Sequence, residues 1–279
     1  MTTADLAGAI QHTEVSATAD RTRIEQVLSE CETHGFDGAM VQPCWVPLAA
    51  ETLADTDVSV CTALGYPLGG DRTHSKVTGI RDAVAAGADE IDVMANLGWL
   101  KSGDDDAFRD ELDALVDAAG DGTIKLMLEL GGLTAGEAER EIEYAVEAGF
   151  DYLKNSSGFG VGGQATVDRV RFIADRVDGV VGVKASGGIR TAAEAQALLD
   201  AGADLLGASG GVEIVTGEAG GGGGEAGGGG GRGPPPPPPG GGGGGARGGG
   251  GPCGGVRGRP ARAPARGRRA RGGGGRGES

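Results

Sequence analysis

Lysine is nearly missing from this chain. In 279 residues there are five, Lys76, Lys101, Lys125, Lys154 and Lys184, and arginine carries the rest of the basic charge. Cysteine is equally sparse. Cys31, Cys44, Cys61 and Cys253 form no CxxC pair, and their spacing fits neither a zinc site nor a disulfide framework. The three histidines, His12, His34 and His74, make no HxxxH-type cluster, so no metal is expected. There is no basic-then-apolar leader and no apolar run long enough to span a bilayer. A reduced cytoplasmic location without a membrane partner is the expectation.

The charge is divided along the chain. The whole carries −15, but from Glu218 onward ten arginines face only Glu218, Glu225 and Glu278, about +7, which leaves the body near −22. A body this acidic does not attract nucleic acid or an anionic membrane at long range. It suits a high-salt cytoplasm, where carboxylate repulsion is screened. An ordinary acidic protein is the alternative, and the scarcity of lysine favours the halophilic one. Residues 218–279 are almost all Gly, Pro, Arg and Ala, a composition without apolar residues for a core, and disorder is expected there. These residue types are also those of G/C-rich codons. The tail therefore reads either as out-of-frame translation or as an arginine-glycine arm, which the nucleotide reading frame past Gly217 would distinguish.

Residues 1–217 read as one domain. Eight short apolar runs, "AIQHTEV", "FDGAMVQP", "VSVCTALGYP", "EIDVMANLG", "TIKLMLEL", "FDYLKNSSG", "VVGVKASGG" and "ADLLGASGG", alternate with amphipathic stretches. Ile24, Val27, Leu28 and Cys31 stand at helical spacing before a stop at Gly35, and Thr134 with Glu137 and Thr191 with Glu194 have capping-box spacing. Eight strands in strict alternation predict a (β/α)8 barrel, since doubly wound sheets usually carry five or six. A normal final helix is missing: "GVEIVTG" begins one and the tail follows.

The chemistry lies in a repeated frame. "GFDYLKNSSG" and "GVVGVKASGG" both read Gly, four residues, Lys, any residue, Ser, any residue, Gly. "GADLLGASGG" keeps the frame with Gly207 in the lysine position. The frame predicts Lys154 and Lys184 inward, at equivalent heights on neighbouring strands about 4.8 Å apart. At roughly 6 Å and an effective dielectric near 20, their repulsion is about 2.8 kcal/mol, roughly two pKa units. Burial acts in the same direction. A lysine left neutral this way is a nucleophile toward carbonyls, the chemistry of a Schiff base. The bland alternative pairs both lysines with carboxylates in a filled barrel. Asp92 has the same offset from Gly87 and is a candidate proton relay or ion-pair partner of Lys125 or Lys184. Lys125 and Glu129 share a parity that suggests a further supporting ion pair. Gly187, Gly188, Gly207 and Ser209 end the seventh and eighth strands, where barrels of this kind often hold phosphate. "GFGVGG" after Lys154 imitates a dinucleotide fingerprint, but no acidic residue follows at the required distance. The site then suits a small phosphorylated carbonyl compound, with neither metal nor organic cofactor.

The motifs "VCTALGYPLGG", "EIDVMANLGWLKSG", "LMLELGGLT", "DYLKNSSGFG", "GVKASGGIRT" and "LLGASGG" resemble the deoxyribose-phosphate aldolase family, in a form similar to archaeal members, from about Ile10 to Val215. The resemblance implies a class I aldolase that reversibly cleaves 2-deoxy-D-ribose 5-phosphate to glyceraldehyde 3-phosphate and acetaldehyde, in an assembly of identical chains. It assigns the Schiff base to Lys154, the second lysine to Lys184, the proton relay to Asp92, and phosphate contacts to Gly158, Gly187, Gly188, Gly207 and Ser209. Three departures stand out: Gln11 replaces the aspartate of an "IDHT" motif, Gly210 replaces a serine after Ser209, and the final helix with its C-terminal tyrosine has no counterpart. The alternatives are an inactive phosphosugar-binding remnant and a phosphosugar isomerase on the same fold.

Overall fold

The structure is a computed structural model that describes residues 2–217; the tail expected at 218–279 lies outside the described residues. Eight parallel strands close into a barrel in sequence order, each bonded to the next and β1 to β8. They are β1 (Ile10–Glu14), β2 (Gly38–Val41), β3 (Ser59–Leu64), β4 (Glu90–Met94), β5 (Thr123–Met127), β6 (Tyr152–Lys154), β7 (Gly182–Ser186) and β8 (Leu205–Ala208). Each falls within one of the eight apolar runs. This is the expected (β/α)8 barrel.

Ten α-helices accompany the strands among the described residues: α1 (Thr3–Ala7), α2 (Arg21–His34), α3 (Val46–Thr52), α4 (Thr73–Ala85), α5 (Leu97–Ser102), α6 (Asp105–Ala119), α7 (Ala135–Ala148), α8 (Val167–Val177), α9 (Ala192–Asp200) and α10 (Gly211–Thr216). Their ends follow local chemistry. Both expected capping boxes form, at Thr134 with Glu137 and at Thr191 with Glu194. Gly35 ends α2 at φ 67°, a left-handed conformation that costs glycine nothing. The closing helix is present but reduced. The six residues of α10 bury Ile214 and pack against α1, α2, α9 and β1.

Two apolar regions result. A large ring of Ile, Leu, Val, Ala and Phe side chains lies between strands and helices. Inside the barrel a small cluster holds Met40, Cys61, Ala63, Met94 and Met127. The remaining inward positions include the polar Gln11, Glu90, Asp92, Lys125, Lys154 and Lys184, with Leu205 at the base of β8.

One buried group opposes the fold. Glu141 on α7 is fully buried, and among the described residues neither carboxylate oxygen has a hydrogen-bond partner. Burial, with the charge of Glu129 added, pushes its carboxyl well above the usual range. A raised acid favours the fold only while protonated, so its contribution is lost as pH rises above the ordinary value of 4.5. Glu141→Met, close in volume, is expected to stabilise the protein at neutral pH by about 1–3 kcal/mol. Thermal melts across pH check this: the gain should shrink in acid, and a variant less stable than wild type at pH 7 would show that Glu141 is satisfied.

Candidate active site

Strand register sets the interior in layers. Asp92 pairs with Lys125, Lys125 with Tyr152, Lys154 with Lys184, and Gly207 with both Ser186 and Gln11. In a tilted barrel, side chains from alternate strands share a layer, with a two-residue step in register between them. One layer is therefore Met40, Asp92, Lys154 and Gly207, from the even strands. The layer beneath it is Gln11, Cys61, Lys125 and Lys184, from the odd strands. Glu90 and Tyr152 lie one layer deeper still. The two lysines of the repeated frame are register partners, as expected, but not at equal height. The tilt sets Lys154 nearer the mouth and Lys184 below it. Lys154 is 5 % exposed and Lys184 0 %.

Three of the five lysines meet at one carboxylate. Lys154 Nζ donates to Asp92 Oδ2 at 2.9 Å, and Lys184 Nζ donates to the same oxygen at 2.8 Å. Lys125 lies 3.5 Å from Asp92 Oδ1 and bonds Glu90 directly. The other two lysines are elsewhere, Lys76 in a buried pair with Glu111 and Lys101 on the surface with Glu137. Burial alone would raise the Asp92 carboxyl, but the ammonium groups of Lys154, Lys184 and Lys125 overcome it and hold it well below the usual range. Burial likewise opposes the charge on Lys125, and Glu90 with Asp92 more than restores it, so Lys125 is held well above the ordinary lysine value. Lys184 behaves differently. Burial pushes it down, Asp92 returns part of the loss, and Lys154 and Lys125 depress it again, to about 8 from 10.5. The geometry thus offers one fixed cation, one fixed anion and one ammonium able to exchange its proton near neutral pH.

The expected pair of Lys125 with Glu129 does not form, because β5 ends at Met127 and the chain turns away. Glu129 has a left-handed backbone, φ 50°, and its buried carboxylate accepts the backbone N–H groups of Ser157 and of Gly162, the latter at 2.7 Å. This explains "GFGVGG". A Cβ on Gly160 or Gly162 would stand 2.4 or 2.8 Å from the Glu129 carboxylate, so glycine there lets the loop wrap it. Sequence reasoning missed this role. The signal was available, since a glutamate directly after a buried strand and a glycine-rich loop both need partners.

The phosphate candidates separate into two groups. Gly158, Gly187 and Gly188 adopt φ of 84°, 100° and 76°, and a Cβ on Gly158 would lie 3.8 Å from Gly187 Cα, so the loops after β6 and β7 touch. Left-handed glycines side by side can turn N–H groups toward an anion. Ser209 is exposed just before α10. Gly207 lies inside the barrel instead, where a Cβ would meet Ser186 Oγ at 3.1 Å and Lys184 Cε at 3.3 Å. Its missing side chain makes room for Lys184. Also missed was Asn155, which is buried and clamps Ser186 through both its amide atoms, at 2.7 and 3.1 Å. Over the mouth, Tyr66 donates to the Ser157 carbonyl at 2.9 Å and meets Phe159 edge-on at 5.5 Å. These two rings, with Val15, Gln42 and Ala63, border a cavity of about 410 Å³, and Ala63 is the register partner of Asp92. No helix among the described residues is long and apolar enough to cross a membrane.

Comparisons with known proteins agree with this geometry. The family model described as DeoC/LacD family aldolase matches residues 3–217. A deoxyribose-phosphate aldolase of Streptococcus equi subsp. zooepidemicus is 42 % identical over 209 residues, 75 % of this chain and 94 % of that protein. One from Brevibacillus brevis is 44 % identical over 208 residues, again 75 % and 94 %. Among solved structures, the tetrameric deoxyribose phosphate aldolase of Aeropyrum pernix superposes with a TM-score of 0.72 at 27 % identity, over 77 % of this chain and 91 % of that one.

Proposed function

The chain belongs to the DeoC/LacD aldolase family and is a lyase, and we propose that it cleaves 2-deoxy-D-ribose 5-phosphate reversibly, with Lys154 as the Schiff-base lysine. The observation that carries the assignment is the shared Asp92 oxygen: two lysines converge on it, and only Lys154 stands in the upper layer.

The residues fit the steps of the reaction. Lys154 Nζ attacks C1 of the open-chain sugar, and loss of water leaves an iminium. A base removes the proton of the 3-hydroxyl. The C2–C3 electron pair then moves into the iminium, releasing glyceraldehyde 3-phosphate and leaving an enamine on Lys154. Protonation at C2 and hydrolysis release acetaldehyde and free the lysine. Asp92, which accepts from both Lys154 and Lys184, forms with Lys184 the relay for these protons. Lys125 holds Asp92 ionised from below. Gly158, Gly187, Gly188 and Ser209 hold the phosphate at the mouth, while Gly207 serves Lys184. The tetrameric relative supports an assembly of identical chains here as well.

Incubation with 2-deoxy-D-ribose 5-phosphate, with acetaldehyde followed by coupled reduction, tests the reading. Stoichiometric acetaldehyde is expected. An isomerised phosphosugar without acetaldehyde would assign the site to a different reaction.

A further inference from the structure

Gln11 lies on β1, fully buried, in the same layer as Lys184. Its Oε1 accepts from Lys184 Nζ at 2.6 Å, while its Nε2 donates to Asp37 at 2.9 Å and to Glu90 at 2.8 Å. The amide can sit only one way round, because two carboxylates demand donors and an ammonium demands an acceptor. Lys184 therefore has two acceptors of different kind, the charged Asp92 and the neutral Gln11.

We propose that Gln11 is a positioning residue for the lysine pair: it anchors the Lys184 ammonium beneath Lys154 through a neutral acceptor, and uses Asp37 and Glu90 to hold that acceptor in place. The proposal rests on the aldolase reading of the site. Lys184 is faced by Asp92 from β4, Lys154 from β6, Lys125 from β5 and Cys61 from β3, with Gly207 adding no side chain from β8. Asp37 and Glu90 act from behind Gln11. Among these neighbours, position 11 is the one direct contact of Lys184 whose charge can be changed without touching Asp92 or a lysine.

Two substitutions move Lys184 in opposite directions. Gln11→Met keeps the volume and removes the acceptor, so burial is less opposed and the titration falls below the wild-type value near 8. Gln11→Glu sets a carboxylate against the ammonium, with Asp37, already pushed up by burial and by Glu90, protonated to donate to the second oxygen, and the Lys184 titration rises by about one to two units. The test is a 15N NMR titration of the lysine Nζ groups, readable with five lysines, alongside the pH profile of kcat. Opposite displacements of the Lys184 curve, followed by the kcat limb it controls, are expected. A Lys184 curve unmoved in folded Gln11→Met overturns the proposal, even if Gln11→Glu does not fold. The NMR readout needs no turnover, so an inactive wild type would count against the aldolase reading alone.

Discussion

Lys154→Ala is expected to abolish borohydride trapping of acetaldehyde and to lower turnover by at least about 10⁴-fold, because it deletes the nucleophile rather than an auxiliary group. In wild type, borohydride with acetaldehyde should reduce one iminium and leave one ethyl group on Lys154, which peptide mapping locates. The structure gives reasons to expect this lysine and not another. Lys125 is paired with Glu90 and held charged, and Lys76 is bound to Glu111 outside the barrel. Lys184 lies a layer deeper, held by two acceptors. Among the described residues Lys154 has a single ion-pair partner, Asp92, and of the barrel lysines it stands nearest the mouth. Lys184→Met should therefore still allow the adduct on Lys154, formed more slowly. An adduct on Lys184 in wild type, or none in a folded sample, would overturn the assignment.

The barrel and its lysines were legible because their signals are local. Strands of buried apolar residues, capped helices and a repeated frame lie within single segments, so "GFDYLKNSSG" and "GVVGVKASGG" announce equivalent positions without further knowledge. What was not legible depends on how strands tilt and chains cross. The equal-height expectation for Lys154 and Lys184 assumed a flat sheet; closing the barrel separates register partners by a layer. Lys125 was expected beside Glu129 on parity alone, but the strand ended two residues earlier and Glu90, on the neighbouring strand, took its place. Gln11 read as a substitution in a motif. Its three partners come from positions 26, 79 and 173 residues away in sequence, and only the closed barrel brings them together.

Asp92→Asn is the change from which the largest combined loss of stability and activity is expected. The amide is isosteric, so shape is kept and charge alone is removed. Three buried ammonium groups then lose the anion on which they converge, and breaking a buried pair from one side costs about 3–5 kcal/mol. Lys125 keeps Glu90, and Lys184 keeps only the neutral Gln11. Lys154 and Lys184 then both lack the anion that favours their charged forms. That favours attack by Lys154 but removes the acid and base needed for cleavage and enamine protonation, so kcat should fall by about 10²–10⁴-fold even where the first covalent step survives. The two effects separate by pH. Asp92 is held below its ordinary value of 3.8, so its stabilisation is complete above that pH and is lost as pH falls through the lower folded value. The difference in melting temperature between wild type and Asp92→Asn should therefore be largest at neutral pH and narrow only in strong acid. A variant that melts with wild type at neutral pH would mean that the lysines do not depend on this carboxylate. Near-wild-type kcat in a folded variant would remove Asp92 from the proton relay.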